Sequence, residues 1–324
     1  MFIAYSLLFV TVAQRIRSYD DVERLVKCVG LSAGAMALFG FLQWGFGNSR
    51  FLWIYEHPSR DPAGQLCGAF ANRNHFAHFL VLGVPPLALW LTWFCSDSSQ
   101  PDRRATATAI EANWRFAQRR EMPIALLLAA CIAGVFLSGS RGGALALAAA
   151  LCVSLFAFWQ SQLLRGRTLA ILSAVSVATF AIVSVTNYHL VSQRLATLTS
   201  ASLEEIDASA GRRKIWTANV AAIREGGWIG AGAGSHREIY PVYLSEPTGK
   251  EFTHAESGPL QILTELGPVG GALLVLAIGL CAHWVFSAFR TAPSTRARVL
   301  VGVCAGGLSA SVAHSLCDLV WYIP

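Results

Sequence analysis

The segment Thr253-His254-Ala255-Glu256-Ser257 sets an imidazole and a carboxylate two residues apart, just before Gly258-Pro259 and a membrane-length apolar run. Either group can accept a proton from a hydroxyl as a general base. Ser257 suits the N-cap of the helix that follows, with Pro259 in its first turn. The positive end of that helix would favour an anion or an ionised carboxylate beside it. No comparable cluster of titratable groups occurs elsewhere in the sequence. Spacing alone slightly favours the plainer alternative, a solvated pair that decorates a helix start.

Other clusters could serve such a base. Arg141 stands in Ser138-Gly139-Ser140-Arg141-Gly142-Gly143, a turn between uncharged runs of nineteen and twenty-three residues. So tight a turn leaves the guanidinium at or within the membrane boundary, where ionisable groups are costly and usually functional. Its planar fork matches phosphate oxygens, although an arginine bound to lipid headgroups fits equally well. Gly211-Arg212-Arg213-Lys214-Ile215-Trp216 is a basic patch that suits a diphosphate. On its own, a basic amphipathic helix resting on anionic lipid is the simpler account of it. Phe70-Ala71-Asn72-Arg73-Asn74-His75-Phe76 crowds four polar side chains at the start of a span, either to bind a glycan or to cap the helix. His314 and Asp318, four apart, read as a pair on one helical face with a structural role.

The elements that must hold these residues follow from composition. The chain of 324 residues is 54% hydrophobic and only 14% charged, about half the charged fraction of a soluble domain. Uncharged runs cover Cys28–Ser49, Phe76–Ser96, Met122–Ser140, Gly142–Leu164, Thr168–Gln193, Leu266–Phe289 and Val299–Cys317. Each can cross a hydrocarbon core of about 30 Å as a helix rising 1.5 Å per residue, and lipid excludes spanning segments with unpaired backbone. An eighth run, Met1–Gln14, is short. Its basic residues follow it rather than precede it, so it reads as the tail end of a membrane helix and not as a signal peptide. The expectation is therefore an all-α, polytopic membrane helix bundle with about eight transmembrane helices and one long, partly helical exterior loop. That bundle is one membrane domain over 1–324, continued by further helices upstream.

Lys and Arg number four in Arg15–Lys27, five in Asp97–Glu121, two in Arg165–Arg167 and three in Arg290–Arg298. These alternate loops face the cytoplasm under the positive-inside rule, which places the 189–258 segment outside. The net charge of +6 is absorbed by these topological loops, so nucleic acid is not an expected partner. Two outer insertions remain: Gly47–His75, with Trp53, Tyr55 and His57, and the long loop from His189 to Gly258. The second is too long for a plain connection. Within it Trp216, Val220 and Ile223 recur at helical spacing, as an amphipathic helix on the membrane or capping the bundle. Gly226–Gly234 ends that helix, Glu238–Leu244 forms a short turn or helix, and Gly267-Pro268 interrupts the next helix before its main span.

Some signals are missing. The sequence has no Asp-x-Asp metal clamp and no Walker lysine loop, and Gly230-Ala231-Gly232-Ala233-Gly234 lacks the strand–helix context of a dinucleotide site. Its eight cysteines suggest neither a disulfide framework nor paired metal ligands. No metal or cofactor is expected.

Taken together these blocks resemble the O-antigen ligase and polymerase superfamily of bacterial membrane glycosyltransferases. Gly68–Ala77 is similar to its Asn-rich block, and Leu137–Gly143 to its Ser-Arg-Gly turn. Arg212 with Trp216 fits its Arg-x-x-x-Trp block, and Gly230–Tyr240 its glycine run ending in tyrosine. His254–Gly270 resembles its His-rich helix start, and His314–Asp318 with Ile323-Pro324 its closing block. Glu256 stands where the family commonly has a histidine, Ser257 where it has Asn, Pro259 where it often has Tyr, and His236 where an aromatic residue follows the glycine run.

The resemblance implies a glycan donor on undecaprenyl diphosphate, a glycan or lipid acceptor, and work at the periplasmic face of the bacterial inner membrane. It implies Glu256 and His254 as catalytic bases, Arg141 and Arg212 as diphosphate ligands, and Asn72, Arg73 and Asn74 as substrate contacts. It also implies about a dozen spans, so the chain is expected to be shortened upstream and at its end. A ligase is the expected activity, with a polymerase of the same family as the alternative. A non-catalytic exporter is the third reading, disfavoured because mid-span positions are bare apart from His283. One spatial expectation carries the rest: both arginines and the proton acceptor converge on a single pocket facing away from the cytosol.

Overall fold

The structure is a computed structural model that describes residues 2–48, 50–56, 66–97, 107–164, 212–245 and 251–322, with single positions 175 and 179. The expected span Thr168–Gln193, the turn Arg165–Arg167, His57 and the start of the long loop up to 211 lie outside the described residues, positions 175 and 179 apart. Helices run over α1 (Phe2–Arg15), α2 (Tyr19–Phe46), α3 (Arg73–Asp97), α4 (Ala107–Leu137) and α5 (Arg141–Gln160). They continue with α6 (Arg212–Glu225), α7 (His236–Ile239), a 3₁₀ turn (Tyr240–Tyr243), α8 (Gly258–Thr291) and α9 (Thr295–Ser315). Among the described residues there is no strand, only a lone bridge between Phe51 and Tyr55. The chain is an all-α membrane protein.

Among the described residues, five helices are long and apolar enough to span: Tyr19–Phe46, Arg73–Phe94, Arg141–Gln160, Gly258–Thr291 and Thr295–Ser315, with Met122–Leu137 a shorter apolar helix. The sequence places Asp97–Glu121 in a loop, whereas the backbone of α4 is helical from Ala107. Strong helix formers such as Ala, Glu, Gln and Arg carry the helix back beyond the apolar run.

The described chain divides into two compact units, Met1–Thr186 with Val285–Ala310 and Asn187–Trp284 with Ser311–Pro324. In the first, α3 lies at the centre, packed against α2, α4 and α5. Phe76, Leu80, Val84 and Leu87 on α3 are fully enclosed. Apolar burial gives little drive in lipid, so close packing across small residues must hold the helices. A Cβ on Gly83 would fall 2.1 Å from that of Ala33, and one on Gly134 would fall 2.5 Å from Leu80. At one end of this unit Glu23 pairs with Lys27 and Arg296, and Arg296 also reaches Asp20.

The second unit joins α6, α7, the 3₁₀ turn and the first part of α8. The helix expected around Trp216, Val220 and Ile223 is present, but its buried face is Ile215, Ala218, Asn219 and Ala222, and Val220 is exposed. The stripe is thus rotated about one residue from the apolar pattern. Asn219 can face inward because every polar atom of its amide finds a partner.

Candidate functional site

The second unit is organised by a break in α8. Gly267 sits at φ 62°, ψ −167°, a conformation no helix contains, and Pro268 follows it. Pro268 has no N–H for the carbonyl of Thr264, and the break parts the next pair as well. The glycine-rich loop supplies what is missing. Ala231 N–H donates to Thr264 O (3.0 Å), Gly232 N–H to Glu265 O (2.9 Å), and Val269 N–H to Trp228 O (3.3 Å). Such contact requires bare backbone on both sides. A Cβ on Gly230 would come within 2.5 Å of Gly267 N, and one on Gly267 within 2.5 Å of Gly230 N and of Trp228 O. The glycine run is therefore a splint for a broken helix.

Ahead of the break, the start of α8 carries the carboxylate. Glu256 adopts φ 53°, a left-handed conformation that costs a side-chain-bearing residue roughly 1–2 kcal/mol and persists where its surroundings over-determine it. Those surroundings are specific. Trp216 Nε1 donates to Ala255 O (3.0 Å), and Ala255 N–H donates to Gln261 Oε1 (2.7 Å). Gln261 Nε2 donates in turn to Glu265 Oε1 (2.7 Å). Arg212 Nη2 donates to both Glu256 Oε2 (3.2 Å) and Asp318 Oδ2 (3.3 Å). Asp318 is 1% exposed, while Arg212 and Glu256 keep about a quarter of their side chains accessible. One guanidinium thus holds two carboxylates, one buried and one partly exposed.

His254 sits beside this corner, with its ring 5.7 Å from that of Tyr322. Burial pushes its pKa below the usual imidazole value, against the opposing pull of Glu265 and Gln261. A neutral imidazole at physiological pH can accept a proton. His236 is buried more completely and has a different role. It meets Asn219 Nδ2 at 3.1 Å and stacks on Tyr240 at 5.0 Å. Burial is the main reason its pKa falls to about 4. Asn219 also donates to Ile215 O, and its Oδ1 accepts from Thr264 (2.8 Å), so a single amide joins α6, α7 and α8. No shape or charge signal distinguishes His236 from His254 in the sequence; burial does.

The remaining sequence-derived residues lie in the first unit and are described there. Ser138 Oγ donates to Val135 O (2.7 Å) at the end of α4, Gly139 turns the chain at φ 67°, and Ser140 Oγ accepts Gly143 N–H (3.0 Å) to cap α5. Gly142 and Gly143 are buried, which leaves Arg141 exposed on the first turn. A cation there opposes the helix dipole, and both attract an anion. Asn72 realises the capping alternative, because its Oδ1 accepts Asn74 N–H (2.9 Å) at the start of α3. Arg73 is exposed, and Asn74 is half-buried.

Two readings change. His314 and Asp318 do not share a helical face, because α9 ends at Ser315 and Asp318 pairs with Arg212 across 106 positions of sequence. The polar cluster also includes Asp318, Trp216 and Gln261, none of which the sequence marks as site residues. Among the described residues no group of three or more His, Cys, Asp or Glu could hold a metal ion.

Residues 125–275, a little under half of the chain, match the O-antigen ligase family. The matched segment includes the Arg141 turn, α6, the glycine splint and the Glu256 corner, and it supports the superfamily to which the separated motifs point. No curated protein matches the chain.

Proposed function

We propose that this chain is a membrane glycosyltransferase of the O-antigen ligase type. It moves a glycan from undecaprenyl diphosphate to an acceptor hydroxyl at the periplasmic face of the bacterial inner membrane. The observation that carries the reading is the Glu256 corner, where a partly open carboxylate, held in a strained turn, shares a guanidinium with a buried one.

In the proposed step the acceptor hydroxyl gives its proton to Glu256, with His254 as the neighbouring acceptor. The acceptor oxygen bonds to the anomeric carbon as the bond from that carbon to the diphosphate breaks. Undecaprenyl diphosphate leaves with the bonding pair. It is already a good leaving group, so protein positive charge near its oxygens does most of the remaining work. Arg212 is assigned that role in the second unit. Arg141 is assigned the role of phosphate ligand on its exposed place at a helix start, and Asn72, Arg73 and Asn74 that of glycan contacts. A polymerase would use the same proton acceptor with a second lipid-linked glycan as acceptor.

Glu256→Gln keeps the shape and the hydrogen bond to Arg212 but removes the base. It should lower glycan transfer by on the order of 10²–10⁴-fold while membrane expression is unchanged. Wild-type transfer in that variant would remove Glu256 from the mechanism. Arg212→Ala is the poorer test, because losing the partner of a buried carboxylate destabilises by about 3–5 kcal/mol in its own right. The glycan profile of a deletion strain separates the readings: unattached polymer indicates a ligase, single units without long polymer a polymerase, and polymer retained inside an exporter.

A further inference from the structure

The tip of the glycine splint has a feature that glycosyl transfer leaves unused. Trp228 and Ile229 are each 77% exposed, among the most exposed large apolar side chains of the chain. Their position is fixed, because Trp228 O accepts Val269 N–H, and Gly230 packs directly on Gly267. Both residues therefore sit, with exposed side chains, beside the first residues of the apolar run Leu266–Phe289.

That run fixes their depth. Past the break, its 22 residues from Pro268 to Phe289 extend about 33 Å as a helix, a little more than the roughly 30 Å of hydrocarbon. Leu266–Val269 thus falls at the boundary between acyl chains and headgroups, where tryptophan side chains concentrate. The surface is continuous there, since Leu266, Val269, Leu273 and Leu276 on α8 are all exposed and none of the hydropathic window of α8 is buried. A second observation points the same way. Irregular backbone persists at membrane depth only where its polar groups are paired within the protein. Ala231 N–H, Gly232 N–H and Trp228 O are all paired with α8.

We propose that Trp228 and Ile229 form a membrane-interface wedge whose partner is phospholipid, at the acyl–headgroup boundary where α8 emerges. The wedge ties the splint, and through it α6, to one level of the bilayer. It does not depend on the glycosyl-transfer reading.

The test is lipid photocrosslinking of the full chain in vesicles of phosphatidylethanolamine and alkyne-tagged phosphatidylglycerol. The photoreactive p-benzoylphenylalanine is placed, in separate variants, at positions 228, 229, 276 and 238. Position 276 lies within the α8 span, and Glu238 is an exposed polar residue on α7. Lipid adducts at 228 and 229 should approach those at 276 and exceed those at 238 by about tenfold or more. Adduct yields at 228 and 229 no higher than at 238 overturn the proposal. A protein adduct of twice the chain mass, with no lipid label, overturns it in favour of a second copy. The two tip positions are independent, so failure of one variant to express leaves the other to decide.

Discussion

Two helices of this protein begin on a serine beside a charged residue, and they are built in opposite ways. The start of α5 is a local object: Ser138, Gly139 and Ser140 supply the turn and the caps from within six residues, and Arg141 is left exposed on top. The start of α8 is a distant one. Its Glu256 turn is held by Trp216 and Arg212 from some forty positions upstream and, through Arg212, by Asp318 far downstream. A charge that merely needs to be presented can be placed by local signals, whereas a carboxylate in a strained conformation needs long-range constraints.

The contrast can be broken most sharply at the splint. Gly267→Ala sets a Cβ against two backbone atoms at 2.5 Å in a left-handed conformation, and should destabilise the protein by more than about 3 kcal/mol. Wild-type thermal stability in detergent would mean that the start of α8 stands without the glycine loop. Acidification sharpens the contrast next. His236 resists protonation until about pH 4, against an ordinary 6.5. Its contribution is complete above about pH 6.5 and declines as pH falls toward 4, by at most about 3 kcal/mol. His254, shifted in the same direction, loses stability on the same side. Wild type should therefore destabilise more than His236→Gln between pH 7.5 and 4.5, and parallel melting curves would count against a buried neutral imidazole.

At the local start, Arg141→Lys keeps the charge but loses the fork, so transfer should fall roughly tenfold. Full activity would favour a simple lipid anchor. Ser140→Ala removes one cap and should cost about 1 kcal/mol, detected as a small drop in melting temperature.

The same division explains what the sequence reveals. The Ser-Gly-Ser corner, the interruption at Gly267-Pro268 and the spans around α2, α3, α5, α8 and α9 are written in neighbouring residues, and the described residues bear them out. Asp318 is misleading because its nearest polar neighbour in helical spacing is His314, while its partner Arg212 lies 106 positions away. The face of α6 is misjudged for a similar reason. Trp216 turns its indole N–H to Ala255 O, and Asn219, polar by type, is buried with its whole amide paired. Hydropathy cannot anticipate a polar side chain whose partners come from three helices. Asn72 is engaged as the cap of α3.

The splint also bears on how the protein is made. The ribosome delivers Trp228–Gly232 before Gly267-Pro268, so the waiting donors and acceptor are synthesised ahead of the helix that needs them. When α8 enters the bilayer, its interrupted carbonyls can be met at once instead of lingering bare at the membrane boundary. Moving the glycine loop downstream of α8 by circular permutation would reverse that order and expose the nascent helix to a period of misinsertion.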